Sequence, residues 1–314
     1  MEAEKPVFSN RALRALIIPL VLEQILGLTV GMADSIMVSS AGEAAVSGVS
    51  LVDSINVLLT NLFSSLATGG AVVAAHRLGE KKGEAARRTA DQLLLCVSGI
   101  ALIIALFSLA FNRLILGLIF GNVEADVMKN AVIYFYLTAL SFPFLGIYNA
   151  SAALCRAMGN SRVTMVISIL MNAVNITGNA FFILALRWGV FGVALSTLLS
   201  RILGAAIMFC ILRDEKRPIH YSGRIALRPD FKIVKNILRV GVPTGLDNCI
   251  FQVGKILVQS LIASLGTTAI AANAIVGTVA GIAVLPASAM GIAMITVVGQ
   301  ALGAGSEEQA KYYV

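Results

Sequence analysis

The sequence predicts an all-α integral membrane protein: a polytopic helical bundle with one complete six-helix lobe and the first two helices of a second lobe repeated in parallel. Three observations carry this prediction. Apolar residues make up 58% of the 314 positions and charged residues 13%, with a mean hydropathy of +0.87. An ordinary soluble domain carries about 25% charge, so the polar surface needed to cover a water-soluble core is missing. The apolar residues run in long continuous stretches, which fit spanning helices and not the alternating strands of a membrane barrel. Third, a shift of 224 residues aligns two parts of the chain without a gap.

Crossing a bilayer takes about 20 apolar residues, and eight stretches meet that length: 12–37, 45–75, 89–111, 128–152, 162–186, 189–212, 238–264 and 269–300. The first follows Lys5, Arg11 and Arg14. It runs well past the 7–15 residue apolar core of a cleavable leader, so it is expected to be a retained helix. Several stretches exceed the minimal span, which implies tilt or ends that project into water.

The loops set the expected orientation. With the N-terminus inside, only Arg113, Lys129 and Arg187 of the 24 Lys and Arg fall outside, and Arg201 and Lys255 fall within helices. The remaining nineteen lie on the inner side, the asymmetry of cytoplasmic loops in a multi-pass protein of the cell (plasma or inner) membrane. The net charge of +7 is thereby assigned to loops, and no polar domain is long enough to carry a nucleic-acid surface. Residues 213–237 form an expected basic cytoplasmic linker between a lobe at 1–212 and the start of a second at 238–314. Phe231, Ile233, Val234, Ile237 and Leu238 give the linker's end an amphipathic pattern suited to the inner membrane surface. A solvated connector is the alternative reading.

The repeat is specific. HRLGEKKGEAAR at 76–87 falls on QALGAGSEEQAK at 300–311, and the same offset matches Pro19 to Pro243, Gly42 to Gly266, Ala45 to Ala269 and Ser64 to Ser288, with Glu23 on Asp247. An even number of helices separates the copies, so both have the same orientation about an axis along the membrane normal. The second copy holds two helices of six, and as it stands the chain is expected to lack transport.

Ionisable and amide side chains inside spanning helices are costly, which makes each a functional candidate. On the first helix Glu23, Gly27, Gly31 and Asp34 fall within about 80° of one another. A desolvated carboxylate there can carry a proton or bind Na+; the alternative is a hydrogen bond to another helix. The fifth helix presents Ser168, Asn172, Asn175 and Asn179 on one face, and the seventh presents Asn248, Gln252, Lys255 and Gln259. Each stripe either lines a cavity or joins helices. Lys255 is too deep to reach water easily and needs a carboxylate or a wet cavity. The second helix adds a milder stripe of Ser50, Ser54, Asn61 and Ser65, while Asp53 and Asp91, near expected helix ends, rank lower.

Several chemistries find no motif. Cys96, Cys155, Cys210 and Cys249 include no CxxC pair, and His76 and His220 lack metal-ligand spacing. No GxxxxGK[ST], GxSxG, HExxH or TVGYG occurs. Neither an enzyme nor an organic cofactor is expected.

P-L-V-L-E-Q at 19–24 with A-D-S-I-M-V at 33–38 resembles the first helix of the multidrug and toxic compound extrusion (MATE) family. LGEKKGEAA at 78–86 resembles the loop after its second helix, MGNSRVTMVISILMNAVNITGN at 158–179 its fifth helix, and GVFGVALSTLLSR at 189–201 its sixth. The resemblance implies twelve helices in two lobes around a central cavity, exporting cationic or amphipathic compounds against inward Na+ or H+. It implies a small-molecule substrate, a bilayer setting and a monomer at full length. Asp34 takes the place of the family's first-helix carboxylate, and Asn175 matches a fifth-helix asparagine. Asn179 departs from several members, which carry aspartate there, so Glu23 is the expected second acid. The family's seventh-helix acid has no match, since Phe251 and Gln252 occupy its neighbourhood. The coupling ion is thus expected at Glu23, Asp34, Asn172, Asn175 and Asn179. The substrate is expected at Asn61, Asn248, Gln252, Lys255 and Gln259, with Lys255 as a movable counter-charge. A lipid-linked oligosaccharide flippase of the same superfamily and a non-transporting membrane scaffold are the alternatives.

Overall fold

In the computed structural model, residues 7–121, 123–221, 229–263 and 267–314 are described. Lys5, residues 222–228 of the basic stretch, Gly266 and the side chain of Gln259 lie outside the described residues. Ten α-helices follow in order among those described: α1 (Asn10–Ser39), α2 (Glu43–Gly79), α3 (Gly83–Ala110), α4 (Asn112–Phe120), α5 (Ala125–Ala157), α6 (Ser161–Asn179), α7 (Gly189–Leu212), α8 (Phe231–Ala263), α9 (Thr267–Gly303) and α10 (Glu307–Tyr313). A π-helical segment, Ala180–Ala185, continues α6.

Among the described residues seven helices are long and apolar enough to cross a membrane: α1, α2, α3, α5, α6 with its π segment, α7, and α9 over Val279–Gly303. The eighth expected span coincides with α8, part of whose C-terminal half lies outside the described side chains; Arg239, Asp247, Asn248, Gln252 and Lys255 make its described part more polar. It also begins at Phe231, seven residues before the sequence places it. Lys232, Lys235 and Arg239 lower hydropathy yet are good helix formers. Phe231, Ile233, Val234, Ile237 and Leu238 are therefore the first turns of a long helix. Phe231 is exposed and Ile237 is fully buried against the first six spans. The nine-residue α4 is too short to register as a span; it buries Asn112 and Leu116 while Leu114, Leu118 and Ile119 stay exposed.

α2 and α5 form the centre. α5 packs on α2, α3 and α7, and α2 also meets α8 and α9. The core between them contains Phe63 and Phe142, whose rings meet edge to face at 6.2 Å, with Leu93, Phe135, Leu154 and Met208. Helix backbones approach closely where glycine removes the side chain: a Cβ on Gly69 of α2 would strike the Ile237 carbonyl of α8. The outward faces keep large apolar side chains exposed, including Leu102, Ile103, Leu106 and Phe107 on α3. Such a band suits lipid, where exposure of apolar groups costs nothing.

The 224-residue offset reappears in the helices. It carries Glu43–Gly79 onto Thr267–Gly303 end to end, and the first residue of α3, Gly83, onto the first of α10, Glu307. The loops obey it too: Lys81 at φ 58° and Gly305 at φ 81° are equivalent, both left-handed. Where α2 crosses α9, Gly79 faces its own equivalent Gly303. A Cβ on Gly79 would strike the Gln300 carbonyl, and one on Gly303 the carbonyl of His76, itself equivalent to Gln300. A residue that packs on its own repeat image lies at the axis relating the two copies.

Candidate functional site

A cavity of 320 Å³ opens between α1, α2, α5, α6 and α7. Its polar wall comprises Asp34 and Ser35 from α1, Ser50 and Asp53 from α2, Tyr134 from α5, Asn172 and Asn175 from α6, and Thr197, Ser200 and Arg201 from α7. The helical period explains how one face of each helix supplies these groups: Asn172 and Asn175 are three apart, Thr197 and Arg201 four.

One hydrogen-bonded chain organises the α1–α6–α7 corner. Asn179 Nδ2 donates to Asp34 Oδ1 at 2.7 Å and to Asn175 Oδ1 at 3.3 Å. Asn175 Nδ2 donates to Thr197 Oγ1 at 3.3 Å, and Thr197 donates to the Val193 carbonyl at 3.1 Å. Asn179 is fully buried, and its Oδ1 has no hydrogen-bond partner among the described residues. Asn172 Nδ2 is likewise buried and unpartnered. A buried polar atom without a partner costs roughly 1–3 kcal/mol, so the open oxygen of Asn179, whose Nδ2 holds Asp34 although the residue itself does not line the cavity, calls for a proton donor or a hard cation. Hard cations take oxygen ligands, and Asp34, Asn179 and Thr197 offer one carboxylate, one amide and one hydroxyl. The π-helical segment begins immediately after Asn179, and π turns are frequent at functional sites.

On the opposite wall Asp53 Oδ1 accepts from the Tyr134 hydroxyl at 3.0 Å and from Asn56 Nδ2 at 3.3 Å. Arg201 Nη1 donates to Ser141 Oγ at 2.6 Å. On the sequence alone Asp53 ranks lower, as an acid near an expected helix end. α2 starts at Glu43, so Asp53 sits nearly three turns inside. The signal that finds it is present in the sequence: an acid within a span, three residues from Ser50 and on the same face.

The structure does not bring Glu23 to Asp34. Both lie on the same side of α1 and both reach α6, but eleven residues separate them, about 16 Å along the axis. Glu23 pairs with Arg156 at 3.4 Å and accepts from Thr164 Oγ1 at 3.0 Å. Its side chain and that of Arg156 are 14% and 17% exposed, so the pair is a largely buried tie between α1, α5 and α6. Of the expected substrate group on α8, Asn248, Gln252 and Lys255 do not line this cavity, and the side chain of Gln259 lies outside the described residues. Asn248 Nδ2 donates to Ser65 Oγ at 3.0 Å and joins α8 to α2. Gln252 is half-buried, and Lys255 is exposed with Nζ 5.1 Å from the Phe251 ring centre. Asn61 on α2 is half-buried and does not line this cavity. Among the described residues no three His, Cys, Asp or Glu side chains group as metal ligands.

Comparison with known proteins adds to this geometry. Residues 19–181 and 243–314 match the family described as MatE. The probable multidrug resistance protein NorM of Thermotoga maritima is 27% identical over 95% of this chain and 64% of its own length. The probable multidrug resistance protein YoeA of Bacillus subtilis is 25% identical over 97% of this chain and 67% of that protein. Multidrug and toxin extrusion protein 2 of Mus musculus is 26% identical over 96% and 52%. The chain therefore spans about two thirds or less of these relatives. Among solved structures, MATE in complex with MaL6 superposes with a TM-score of 0.91 at 22% identity, covering 96% of this chain and 67% of that one. The outward-facing conformation of a multidrug resistance MATE family transporter gives 0.89 at 22%, with the same coverage. At that identity these two likenesses concern the fold.

Proposed function

This chain belongs to the MatE family, and from that membership we propose that the whole protein is a secondary active exporter, moving cationic or amphipathic compounds out of the cell in exchange for Na+ or H+ by alternating access. The observation that carries the reading is the chain from Asp34 through Asn179 and Asn175 to Thr197, with one buried acceptor left open beside the carboxylate. Asp34 is the ionisable member of that chain and holds the coupling ion; Asn175, Asn179 and Thr197 position it. Asn172 stands at the same wall with a donor to spare. Glu23, in this reading, ties helices together and does not carry the ion.

The energy available suits the task. One charge moving inward across 100 mV contributes about 2.3 kcal/mol before any concentration gradient. The helical repeat supports rocking of two matched lobes about the Gly79–Gly303 crossing. The flippase alternative calls for several basic groups to hold a pyrophosphate. This cavity sets a single Arg201 against Asp34 and Asp53, which favours cations. The test is movement of ethidium by the whole protein in proteoliposomes, under an imposed Na+ gradient and separately under a pH gradient. Movement driven by one of them identifies the coupling ion. Movement under neither gradient contradicts the exporter.

A further inference from the structure

The cation reading uses Asp34 and leaves the opposite wall of the same cavity unexplained. Asp53 and Arg201 both line that wall, yet each is anchored elsewhere. Asp53 is held by Tyr134 and Asn56, and Arg201 by Ser141. Among the described ion pairs none joins them directly. Both carboxylates and the guanidinium therefore line one cavity. With all three ionised, the cavity has one net negative charge, and its sign and size fix what it can hold. A buried charge without a counter-charge is expensive, so the best guest carries one positive charge. A guest with two would leave one uncompensated.

We propose that Arg201 sets the charge of the guest this cavity accepts: its tethered guanidinium offsets Asp53, leaving Asp34 as the single open carboxylate, so that singly charged cations bind and doubly charged ones are excluded. The proposal rests on the cation reading of the cavity and adds to it a residue that determines specificity. Arginine suits the part because it stays charged at any working pH and its planar fork can be fixed by a single anchor. Lysine at 201 keeps the charge, and glutamine removes it while keeping much of the length.

The experiment measures binding of tetraethylammonium, with one fixed charge, and hexamethonium, with two, to the purified chain in lipid nanodiscs. Quaternary amines hold their charge at every pH, and comparison of affinity ratios between variants cancels the difference in their size. The wild type is expected to favour tetraethylammonium. Arg201→Gln should shift the ratio toward hexamethonium by about tenfold or more, as one extra negative charge within a few ångströms implies, and Arg201→Lys should restore the wild-type ratio. Asp53→Asn tests the same balance with the opposite sign, even if Arg201→Gln fails to fold. It brings the cavity to neutrality and should weaken tetraethylammonium by about tenfold. An unchanged ratio in Arg201→Gln, or unchanged tetraethylammonium binding in Asp53→Asn, overturns the role of Arg201 while leaving the cation site standing. A wild type that binds neither amine overturns the cation reading and the proposal with it.

Discussion

Asn179 governs what Asp34 can do, because an amide at that position donates a hydrogen bond where a second acid would repel. Its Nδ2 holds one carboxylate oxygen at 2.7 Å while its own oxygen stays open. Asn179→Asp places a second carboxylate in the same contact and should strengthen cation binding by about tenfold, roughly 1.4 kcal/mol; a titration with tetraethylammonium checks this, and weaker binding would contradict it. The Glu23–Arg156 pair predicts a different outcome. Glu23→Gln leaves Arg156 without its counter-charge in a largely buried place and should cost about 2 kcal/mol of stability, less than the 3–5 typical of a fully buried pair. Thermal unfolding in detergent should show the loss, and Glu23→Gln combined with Arg156→Met should recover part of it. These residues also mark the limits of the sequence. The helical period puts Glu23, Gly31 and Asp34 on one face and so points to Asp34, Asn175 and Asn179. A shared face says nothing of depth. At the level of Glu23 the neighbours are Thr164 and Arg156, and three turns along they are the cavity and Asn179.

Helices and loops repeat as faithfully as residues do, and their junctions carry the strain. Lys81 adopts the left-handed conformation that its equivalent, Gly305, adopts freely. A side chain there costs about 1 kcal/mol, so Lys81→Gly should raise stability by up to that amount, measured as a higher midpoint of thermal unfolding. At the α2–α9 crossing the prediction reverses. Gly303→Ala drives a methyl group into the His76 carbonyl and should destabilise by about 2 kcal/mol, as overpacking of a tight contact does. Gly99→Ala on α3 is the control: nothing lies within 4 Å of its Cβ position, so it should be neutral or gain up to about 1 kcal/mol from helix propensity. Hydropathy makes most of the helices legible because spans must be long and apolar. It loses the start of α8, where basic helix formers resemble a loop, and α4, whose nine residues lie below the length of a span.

At the scale of the molecule, two facts combine: the copies share one orientation, and their equivalent helices meet at the Gly79–Gly303 crossing. The cavity, walled by five helices, lies within the first copy. The sequence made the repeat visible through matched residues such as Pro19 with Pro243. It could not show that Asn248, Gln252 and Lys255 of α8 lie apart from this cavity, since that depends on how α8 packs against α2. The central claim is that Asp34, and not Glu23, carries the coupling ion. The measurement that tests it most directly is gradient-driven movement of ethidium in proteoliposomes holding the whole protein with Asp34→Asn or with Glu23→Gln, reconstituted at equal amounts. The account predicts no coupled movement with Asp34→Asn and retained coupling with Glu23→Gln. Coupled movement that survives Asp34→Asn, or that is lost with a folded Glu23→Gln, would contradict it.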